Sequence, residues 1–345
     1  MSTISITRRA ALLSSTGALA FGCSARPEVR ANTDEKASNW RVGPALPFAV
    51  QEIYPALHQG HIHLAGGFIS ENDRISGATD QHIMLDPETG LWADAAALPD
   101  PRHHPNLISF RDRLLAVGGF RAASEQAVWV MQSGVWVFDG ETWADAPSLP
   151  QPNGESVTSI VGSNLHVCGG RKPSGTANAR WNDHSDIGDH FVLTGLDDAW
   201  ISAAPLTTAR NSAASAMIGE NWHVVGGRTV AGGNTPAHEV YDAAEDRWRT
   251  AAPMPQGQAG LAAATLGSKL YAFGGENFNN GGGVYLETWA YDPDADAWTA
   301  APEMPHPRHG LGAVVTGDEI YLIGGALQAG GNQTSNLVEI FKPSA

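Results

Sequence analysis

One module, which runs from a tryptophan to a pair of adjacent glycines, recurs six times along this 345-residue sequence. The first glycine follows the tryptophan by 26 residues in every copy, whereas 22 to 31 residues separate it from the next tryptophan. The copies are Trp40 with Gly66-Gly67, Trp92 with Gly118-Gly119, Trp143 with Gly169-Gly170, Trp200 with Gly226-Gly227, Trp248 with Gly274-Gly275, and Trp298 with Gly324-Gly325. Repetition at about 50 residues indicates an array of similar supersecondary units, each with a constant half and a variable half.

Each copy has the pattern of short strands joined by turns. After Trp248 come Met254-Pro255, a stretch of small residues at 260–264, a polar turn at 267–269 and an alternating apolar stretch at 270–273 that ends at the glycine pair. This is a β-hairpin pattern. A third apolar stretch then follows the variable segment, and a tight turn leads to the next tryptophan. We therefore predict one four-stranded antiparallel meander per copy, and no segment shows a convincing helical period.

A radial arrangement of the six sheets explains which residue types recur. Strands nearest a common axis are crowded, so small side chains are expected there. A glycine pair allows the second strand to bend and lets a neighbouring side chain approach the backbone. The tryptophan supplies a large apolar surface that packs one sheet on the next.

The apolar strand ending in Gly-Gly, the tryptophan, and Tyr241 and Tyr291 seven residues before two of the tryptophans resemble the kelch family of β-propellers. The resemblance covers about residues 40–342. It implies an all-β, six-bladed kelch β-propeller formed by residues 39–345.

The repeat count predicts how the ring of blades is completed. No seventh tryptophan follows the last glycine pair, and the chain ends after a third apolar strand at 336–341. Trp40, conversely, has no glycine pair before it. We therefore predict that Asn39 to Gly43 supplies the fourth strand of the sixth blade, which removes an exposed sheet edge.

The first 25 residues resemble an export signal. Arg8 and Arg9 follow Ser/Thr residues and precede a short apolar stretch, as in twin-arginine signals. Cys23 ends a sequence similar to a lipobox, which would make it a lipidated residue. We predict a periplasmic or otherwise exported protein, with lipid anchoring at Cys23 open and residues 26–38 as a flexible tether. The alternative is a disordered cytosolic tail, against which the absence of acidic residues in 1–25 argues.

Charge and cysteine content exclude several classes of function. The formal net charge is −15, and no run of Lys or Arg compensates for it, so we expect no nucleic-acid partner. Contact with a membrane is expected only through a lipid on Cys23. Cys168, the other cysteine, lies in an apolar strand and is expected to be an inert buried thiol.

The candidate binding residues follow a Leu/Met-Pro pair, its counterpart Leu206-Thr207 or a Gly-Gly pair. The loops there are expected on one rim of the propeller, where function commonly resides. Three arginines share the position ten residues after a tryptophan, which suggests an anionic ligand such as a carboxylate. The predicted ligand-binding residues are Arg102, Arg171, Arg210, Arg228, Asn277, Arg308 and His309. The alternative is that these arginines form salt bridges between blades.

The longest variable segment, in the third repeat, contains Asp183, His184, Asp186, Asp189 and His190. These residue types can bind a metal, but Asp/His-rich loops are more often solvated turns, and we predict neither a metal nor another cofactor. Asn182, Asp186 and His190, spaced by four residues, resemble the Glu-x-x-x-Asp-x-x-x-His iron motif of kelch-type specifier proteins, but Asn182 replaces its glutamate. A copper-radical oxidase is not expected, because neither cysteine is placed to crosslink a tyrosine.

Two functions remain open, and the sequence does not decide whether the protein is an enzyme. The repeat number, blade pattern and export signal resemble those of N-acetylneuraminate mutarotases, which implies a sugar-acid ligand and an isomerase with an acid/base pair. Glu155, Glu276 and His104 are the candidates for proton transfer. The alternative is a non-catalytic propeller that binds a glycan or a protein, with Trp129, Trp136 and Trp181 as further candidate contact residues.

Overall fold

The structure, a computed structural model, describes residues 39–72 and 74–344. The export signal and tether predicted for residues 1–38 lie outside the described residues. Regular structure in the described part consists of β-strands and two 3-10 turns, Trp181–Asp183 and Asn279–Gly281. None of the described helical segments is long and apolar enough to cross a membrane.

Six four-stranded antiparallel sheets form the blades, and each first strand lies beside the first strands of the two neighbouring blades. From the inside outwards, the strands are Ala56–His58, His61–Ala65, His82–Asp86 and Leu91–Ala95 in blade 1; Asn106–Phe110, Arg113–Val117, Val135–Phe138 and Trp143–Ala146 in blade 2; Val157–Val161, Asn164–Cys168, His190–Leu193 and Ile201–Ala203 in blade 3; Ala214–Ile218, Asn221–Val225, His238–Asp242 and Arg247–Thr250 in blade 4; Ala262–Leu266, Lys269–Phe273, Thr288–Asp292 and Ala297–Ala301 in blade 5; and Gly312–Thr316, Glu319–Ile323, Val338–Phe341 and Trp40–Val42 in blade 6. The prediction of an all-β kelch-type propeller is confirmed.

The last blade takes its outer strand from the beginning of the described chain. Trp40 pairs with Phe341, and Val42 pairs with Glu339, in antiparallel register. The side-chain amide of Asn39 also donates to the carbonyl of Lys342 at 2.8 Å. The strand pairing predicted for residues 39–43 is therefore confirmed.

The variable segments form small sheets of their own, which the sequence did not predict. They extend beyond the blades on the face where the glycine pairs lie. Their strands are Val50–Gln51, Phe68–Glu71 and Arg74–Ala78; Phe120–Arg121 and Val130–Met131; Arg171–Pro173 and His184–Asp186; Arg228–Thr229 and Gly233–Asn234; Glu276–Asn277 and Gly283–Val284; and Ala326–Gln328 and Asn332–Thr334.

The glycine pairs join neighbouring blades through the backbone. The N–H of the second glycine donates to the carbonyl ten residues after the next tryptophan, as in Gly67 to Arg102 at 2.8 Å, and the same bond recurs at all six joints. Gly66 has φ of 74° and Gly67 has φ of 106°. A Cβ on Gly66 would collide with the carbonyl oxygen of Arg102. Only glycine therefore allows this approach without strain.

The tryptophans form a second set of joints. The indole N–H of each repeat tryptophan donates to a backbone carbonyl of the preceding repeat, four residues after that repeat's own tryptophan. Trp143, for example, donates to the carbonyl of Ala96, which follows Trp92, at 2.9 Å. The first tryptophan completes the set, because Trp40 donates to Pro302 at 3.2 Å. A partly buried indole thus packs between blades while its polar N–H is satisfied, as buried tryptophans require.

Blades 1, 3 and 4 each contain a buried histidine pair between their second and third strands. In blade 4, Nδ1 of His223 lies 2.9 Å from Nε2 of His238, whose own Nδ1 bonds to the Ala252 carbonyl at 3.0 Å. Burial, with the repulsion of the neighbouring histidine, lowers the pKa of His223 to about 3. Burial likewise lowers the pKa of His238 to about 4. Both rings are therefore neutral in the native propeller at neutral pH.

These pairs predict a loss of stability in mild acid. In the unfolded chain, the histidines bind protons as the pH falls through their ordinary pKa of 6.5. In the folded protein, His223 and His238 remain neutral until about pH 4. Stability is therefore full above pH 6.5 and decreases as the pH falls from there towards 4. Blade 5 has Tyr271 and Thr288 at the equivalent positions, so we expect a His223→Tyr, His238→Thr variant to show a shallower decrease of the unfolding temperature. Equal slopes in both proteins would contradict this assignment.

Candidate functional site

Six residues in left-handed backbone conformation surround the axis where the first strands begin. Each lies twelve residues after a tryptophan, and φ ranges from 51° to 64°; the six are Glu52, His104, Glu155, Ser212, Gly260 and Gly310. In five of the neighbouring pairs, the N–H of one residue donates to the carbonyl of the residue in the preceding blade, as in Glu52 to Gly310 at 2.7 Å. We call these six residues the axial ring.

Glu155 is the most enclosed acid of the axial ring. Its carboxylate forms a salt bridge with Arg171 and accepts a hydrogen bond from the Ser212 hydroxyl at 2.8 Å. Arg228 lies 3.5 Å away and Nε2 of His104 lies 3.8 Å away. Burial alone would raise the pKa of Glu155, but Arg171, His104 and Arg228 lower it below its ordinary value. Glu155 is therefore an ionised acid held inside a cationic shell.

A second acid of the ring is held by a chain of histidines. Nε2 of His103 donates to the Val128 carbonyl at 2.8 Å, which leaves its Nδ1 to accept from Nδ1 of His104 at 2.7 Å. Nε2 of His104 lies 2.9 Å from Oε2 of Glu52, so His104 connects His103 to this acid. Burial would raise the pKa of Glu52, but His104 and His309 hold it well below its ordinary value.

Glu276 extends this network towards the loops. Its Oε1 accepts from Arg228 at 2.7 Å, and its Oε2 accepts from the backbone N–H of Gly330 at 2.8 Å. Arg228 thereby links Glu276 to Glu155. Its Nε has no hydrogen-bond partner among the described residues. One donor of this buried guanidinium is thus left for another group.

His309 lies between the two outer acids. Its Nδ1 is 3.5 Å from Oε1 of Glu52 and 3.4 Å from Oε2 of Glu276, and only 1% of its side chain is exposed. Its Nε2 lies 3.0 Å from the Gln328 carbonyl. Burial alone would lower the pKa of His309, but Glu52 and Glu276 raise it above its ordinary value.

A cavity of about 330 Å³ opens above these groups. Its polar lining consists of Gln51, Glu52, Arg228, Glu276 and His309, and its apolar lining consists of Phe68, Ile75, Trp129, Trp181 and Phe278. Gln51 is fully buried, and its Oε1 has no hydrogen-bond partner within the described part of the chain. The cavity therefore combines aromatic walls with a charged, hydrogen-bonding floor, as small-molecule sites commonly do.

Comparison with known proteins agrees with this architecture. The Kelch motif matches residues 259–305, and the solved structure of YjhT matches with a TM-score of 0.71, at 18% identity over 86% of this chain and 96% of that chain. The chain thus has the fold of a kelch-repeat propeller, and one stretch of it matches the Kelch motif. At this identity, the likeness of the kelch propeller to YjhT concerns the fold alone.

Curated relatives of this kelch propeller match it only over part of their length. Kelch-like protein terF of Aspergillus terreus is 27% identical over 214 residues, which is 59% of this chain and 45% of that protein. Kelch-like protein 36 of Mus musculus is 24% identical over 200 residues, which is 56% of this chain and 30% of that protein. The chain therefore spans less than half the length of the curated relatives that it matches.

Four of the five predicted ligand-binding arginines do not line the cavity; Arg171 lies beside it, and the other three make contacts within the blades. Arg210 is bound to Glu239 at 2.7 Å, and Arg308 is bound to Glu339 at 2.6 Å, each inside its own blade. Arg102 stacks on the Trp136 ring at 3.7 Å. Arg210 and Arg308 thus form structural salt bridges, as the alternative interpretation predicted. That interpretation placed the bridges between blades, whereas the structure places each of them within one blade.

The remaining predicted residues lie in or beside the cavity. Arg228, Glu276 and His309 line it, whereas Arg171 is fully buried, with its guanidinium 4.7 Å from the Trp181 ring. Asn277 lines a smaller adjoining cavity of about 150 Å³, which shares Arg228 as a lining residue. Glu155 and His104 belong to the axial ring below.

The acidic and histidine residues of the third variable segment do not converge on one point. Asp183 accepts from the backbone at Ala179 and Arg180, His184 contacts Asn178, Asp186 accepts from Asn211 and Val230, Asp189 contacts Lys172 and Gln151, and His190 pairs with His166 between strands. Each group therefore has a structural role in its own surroundings. The cavity residues that the sequence analysis did not select are Glu52, Gln51, Phe68, Ile75 and Phe278.

The buried arginines are expected to be essential for stability. Arg210→Met would leave the buried carboxylate of Glu239 without its charge partner, which costs about 3–5 kcal/mol of unfolding free energy. Arg41→Met is the matched control, because Arg41 is bound to Glu319 at 2.6 Å but is 53% exposed, and exposed pairs contribute about 0–1 kcal/mol. Denaturant unfolding of both variants measures the difference. Similar losses in the two variants would contradict a structural role for Arg210.

Proposed function

We propose that this kelch propeller is an exported protein that binds a small anionic carbohydrate in the cavity above the axial ring and interconverts its anomers. The observation that carries the proposal is the combination of aromatic walls with a floor of paired acids, histidine and arginine. The resemblance to N-acetylneuraminate mutarotases noted in the sequence supports the same class of ligand.

The walls suit a sugar ring. Trp129, Trp181 and Phe278 line the cavity, and aromatic faces pack well against the apolar C–H face of a pyranose while its hydroxyls point elsewhere. Phe278 is 60% exposed. A ligand that covers the phenyl ring of Phe278 would bury apolar surface that is exposed in the free protein, and this burial favours binding.

The floor supplies the polar contacts that such a ligand needs. The unpaired Oε1 of Gln51 can accept from a hydroxyl, and the unpaired Nε of Arg228 can donate to a carboxylate. Satisfying buried polar atoms is favourable because each unpaired group carries a desolvation cost of about 1–3 kcal/mol. Arg228 is therefore the residue that we assign to the ligand's acidic group.

The protein has to supply only proton transfers for anomer exchange, and the acids and the histidine at the floor of the cavity can carry them out. A base removes the proton of the anomeric hydroxyl, the bond from the anomeric carbon to the ring oxygen breaks as a carbonyl forms, and an acid protonates the ring oxygen. Closure on the opposite carbonyl face reverses the steps, with no net oxidation or reduction. We assign the transfer at the cavity to Glu276, and assign Glu155 and His104 to holding the floor in position.

NMR exchange spectroscopy with N-acetylneuraminate tests binding and turnover together. We expect exchange faster than in buffer, a roughly tenfold loss of affinity in Phe278→Ala, and loss of exchange with retained binding in Glu276→Gln. Leu286→Ala is the matched control, because Leu286 is also exposed in the fifth variable segment but does not line the cavity.

The outcomes separate the two classes of function. Binding without exchange by the unmodified protein would exclude the isomerase and favour a non-catalytic binding propeller. Absence of binding to this sugar and to an array of acidic glycans would contradict the carbohydrate proposal itself.

Export is proposed from residues 1–25, with Arg8 and Arg9 as the twin-arginine pair. We expect Arg8→Lys with Arg9→Lys to retain the protein in the cytoplasm, whereas the same changes at Arg26 and Arg30 leave export intact. Cys23→Ser is expected to release the protein from membranes if that residue carries a lipid. Cell fractionation measures each result, and a cytoplasmic location of the unmodified protein would contradict the proposal.

A further inference from the structure

We propose that Glu52, Glu276 and His309 bind a first-row divalent cation, with Zn²⁺ as the best fit, at the floor of the cavity. The three residues come from blades 1, 5 and 6, so no spacing in the sequence marks them as a set. This inference goes beyond the carbohydrate proposal, with which it shares Glu276 and the floor of the cavity.

The three ligand atoms are close enough to share one ion. One oxygen of each carboxylate and Nδ1 of His309 all lie within 4.8 Å of one another. Nδ1 of His309 is 3.5 Å from Glu52 and 3.4 Å from Glu276. Metal–ligand distances of about 2.1 Å in a tetrahedral site place neighbouring ligand atoms ~3.4 Å apart. Both distances to Nδ1 of His309 already agree with this value, and the two carboxylate oxygens lie within 4.8 Å of each other.

The orientation of His309 is that of a metal ligand. Its Nε2 faces the Gln328 carbonyl at 3.0 Å and donates its hydrogen there. In the neutral ring, Nδ1 then presents a lone pair to two carboxylate oxygens. That buried Nδ1 has no hydrogen-bond partner among the described residues. Three electron-pair donors facing one point attract a positive charge between them, which a metal ion can supply.

The other atoms of these ligands are held by outer partners. Oε2 of Glu52 faces His104 at 2.9 Å, and Oε1 of Glu276 accepts from Arg228 at 2.7 Å. Metal sites typically have such bonds, which fix the ligand orientation: a histidine donating to a backbone carbonyl and carboxylates held by further donors. All three proposed ligands have this support.

The fourth position of the ion faces the cavity. Sites that keep three protein ligands and one open position are typical of catalytic zinc, where water or substrate takes the open place. One imidazole with two carboxylates suits Zn²⁺ or Mn²⁺ better than Mg²⁺ or Cu⁺. A proton on Nδ1 of His309 could take the place of the metal ion between the two carboxylates. The experiment must therefore distinguish a bound ion from a protonated His309.

Calorimetric titration of the chelator-treated whole protein with Zn²⁺ tests the site. We expect one ion per chain with micromolar or tighter affinity, and at least a roughly tenfold weaker affinity in each of Glu52→Gln, Glu276→Gln and His309→Gln. His61→Gln is the matched control, since His61 lies at a hairpin turn and bonds only to the Gln59 carbonyl among the described residues.

A second readout identifies the ligands directly. Co²⁺ in place of Zn²⁺ should give the visible absorption of a four- or five-coordinate site, which is lost in His309→Gln and kept in His61→Gln. No saturable binding by millimolar Zn²⁺, or equal affinity in the parent and in Glu52→Gln and Glu276→Gln, would overturn the proposal in favour of a protonated His309. The two glutamate variants decide the matter even if His309→Gln does not fold. Sugar binding by the zinc-free protein is measured separately, so failure of either proposal leaves the other testable.

Discussion

The backbone hydrogen bond from the second glycine of one blade to the carbonyl ten residues after the next tryptophan is the contact on which the propeller depends. It recurs at all six joints, from Gly67 and Arg102 to Gly325 and Val50. Because it fixes the end of one blade's second strand against the entrance of the next blade, the chain between tryptophan and glycine pair cannot change length. The indole hydrogen bonds add a second constraint further from the axis. The segments after the glycines are outside both constraints, which is why they vary in length and can form the apolar walls of the cavity.

The same joint explains where the chemistry lies. Two residues after each carbonyl that accepts this hydrogen bond, the backbone adopts the left-handed conformation next to the axis. This conformation costs a non-glycine residue about 1–2 kcal/mol. Gly260 and Gly310 meet this demand without strain, whereas Glu52, His104 and Glu155 do not. Of the four strained positions, three bear titratable side chains at or just below the floor of the cavity, and the fourth is Ser212. Backbone strain retained at such a cluster favours a functional reason for those side chains over a structural one.

The fold was predictable because the repeated joint leaves a periodic trace in the sequence, and the pairing of Trp40–Val42 with the last blade followed from counting. The site was predictable only in part. Arg210 and Arg308 both lie ten residues after a tryptophan, and side chains at that position point into the blade. Side chains two residues later point to the axis. The left-handed turn that causes this change of direction cannot be recognised from the spacing of residues in the sequence. Phe68 and Phe278 were missed because the loops fold into hairpins that only the structure reveals.

The pairing of the first described strand with the last has a consequence for how the chain reaches its folded state. Trp40 meets its partner Phe341 only after about 300 further residues have been made. At synthesis rates of roughly 5–20 residues per second, that partner appears ~15–60 s later. Until then the sixth blade has no outer strand, and the ring cannot be complete on a partly synthesised chain. Completion of the ring is thus a late step of assembly, because it waits for the strand Val338–Phe341.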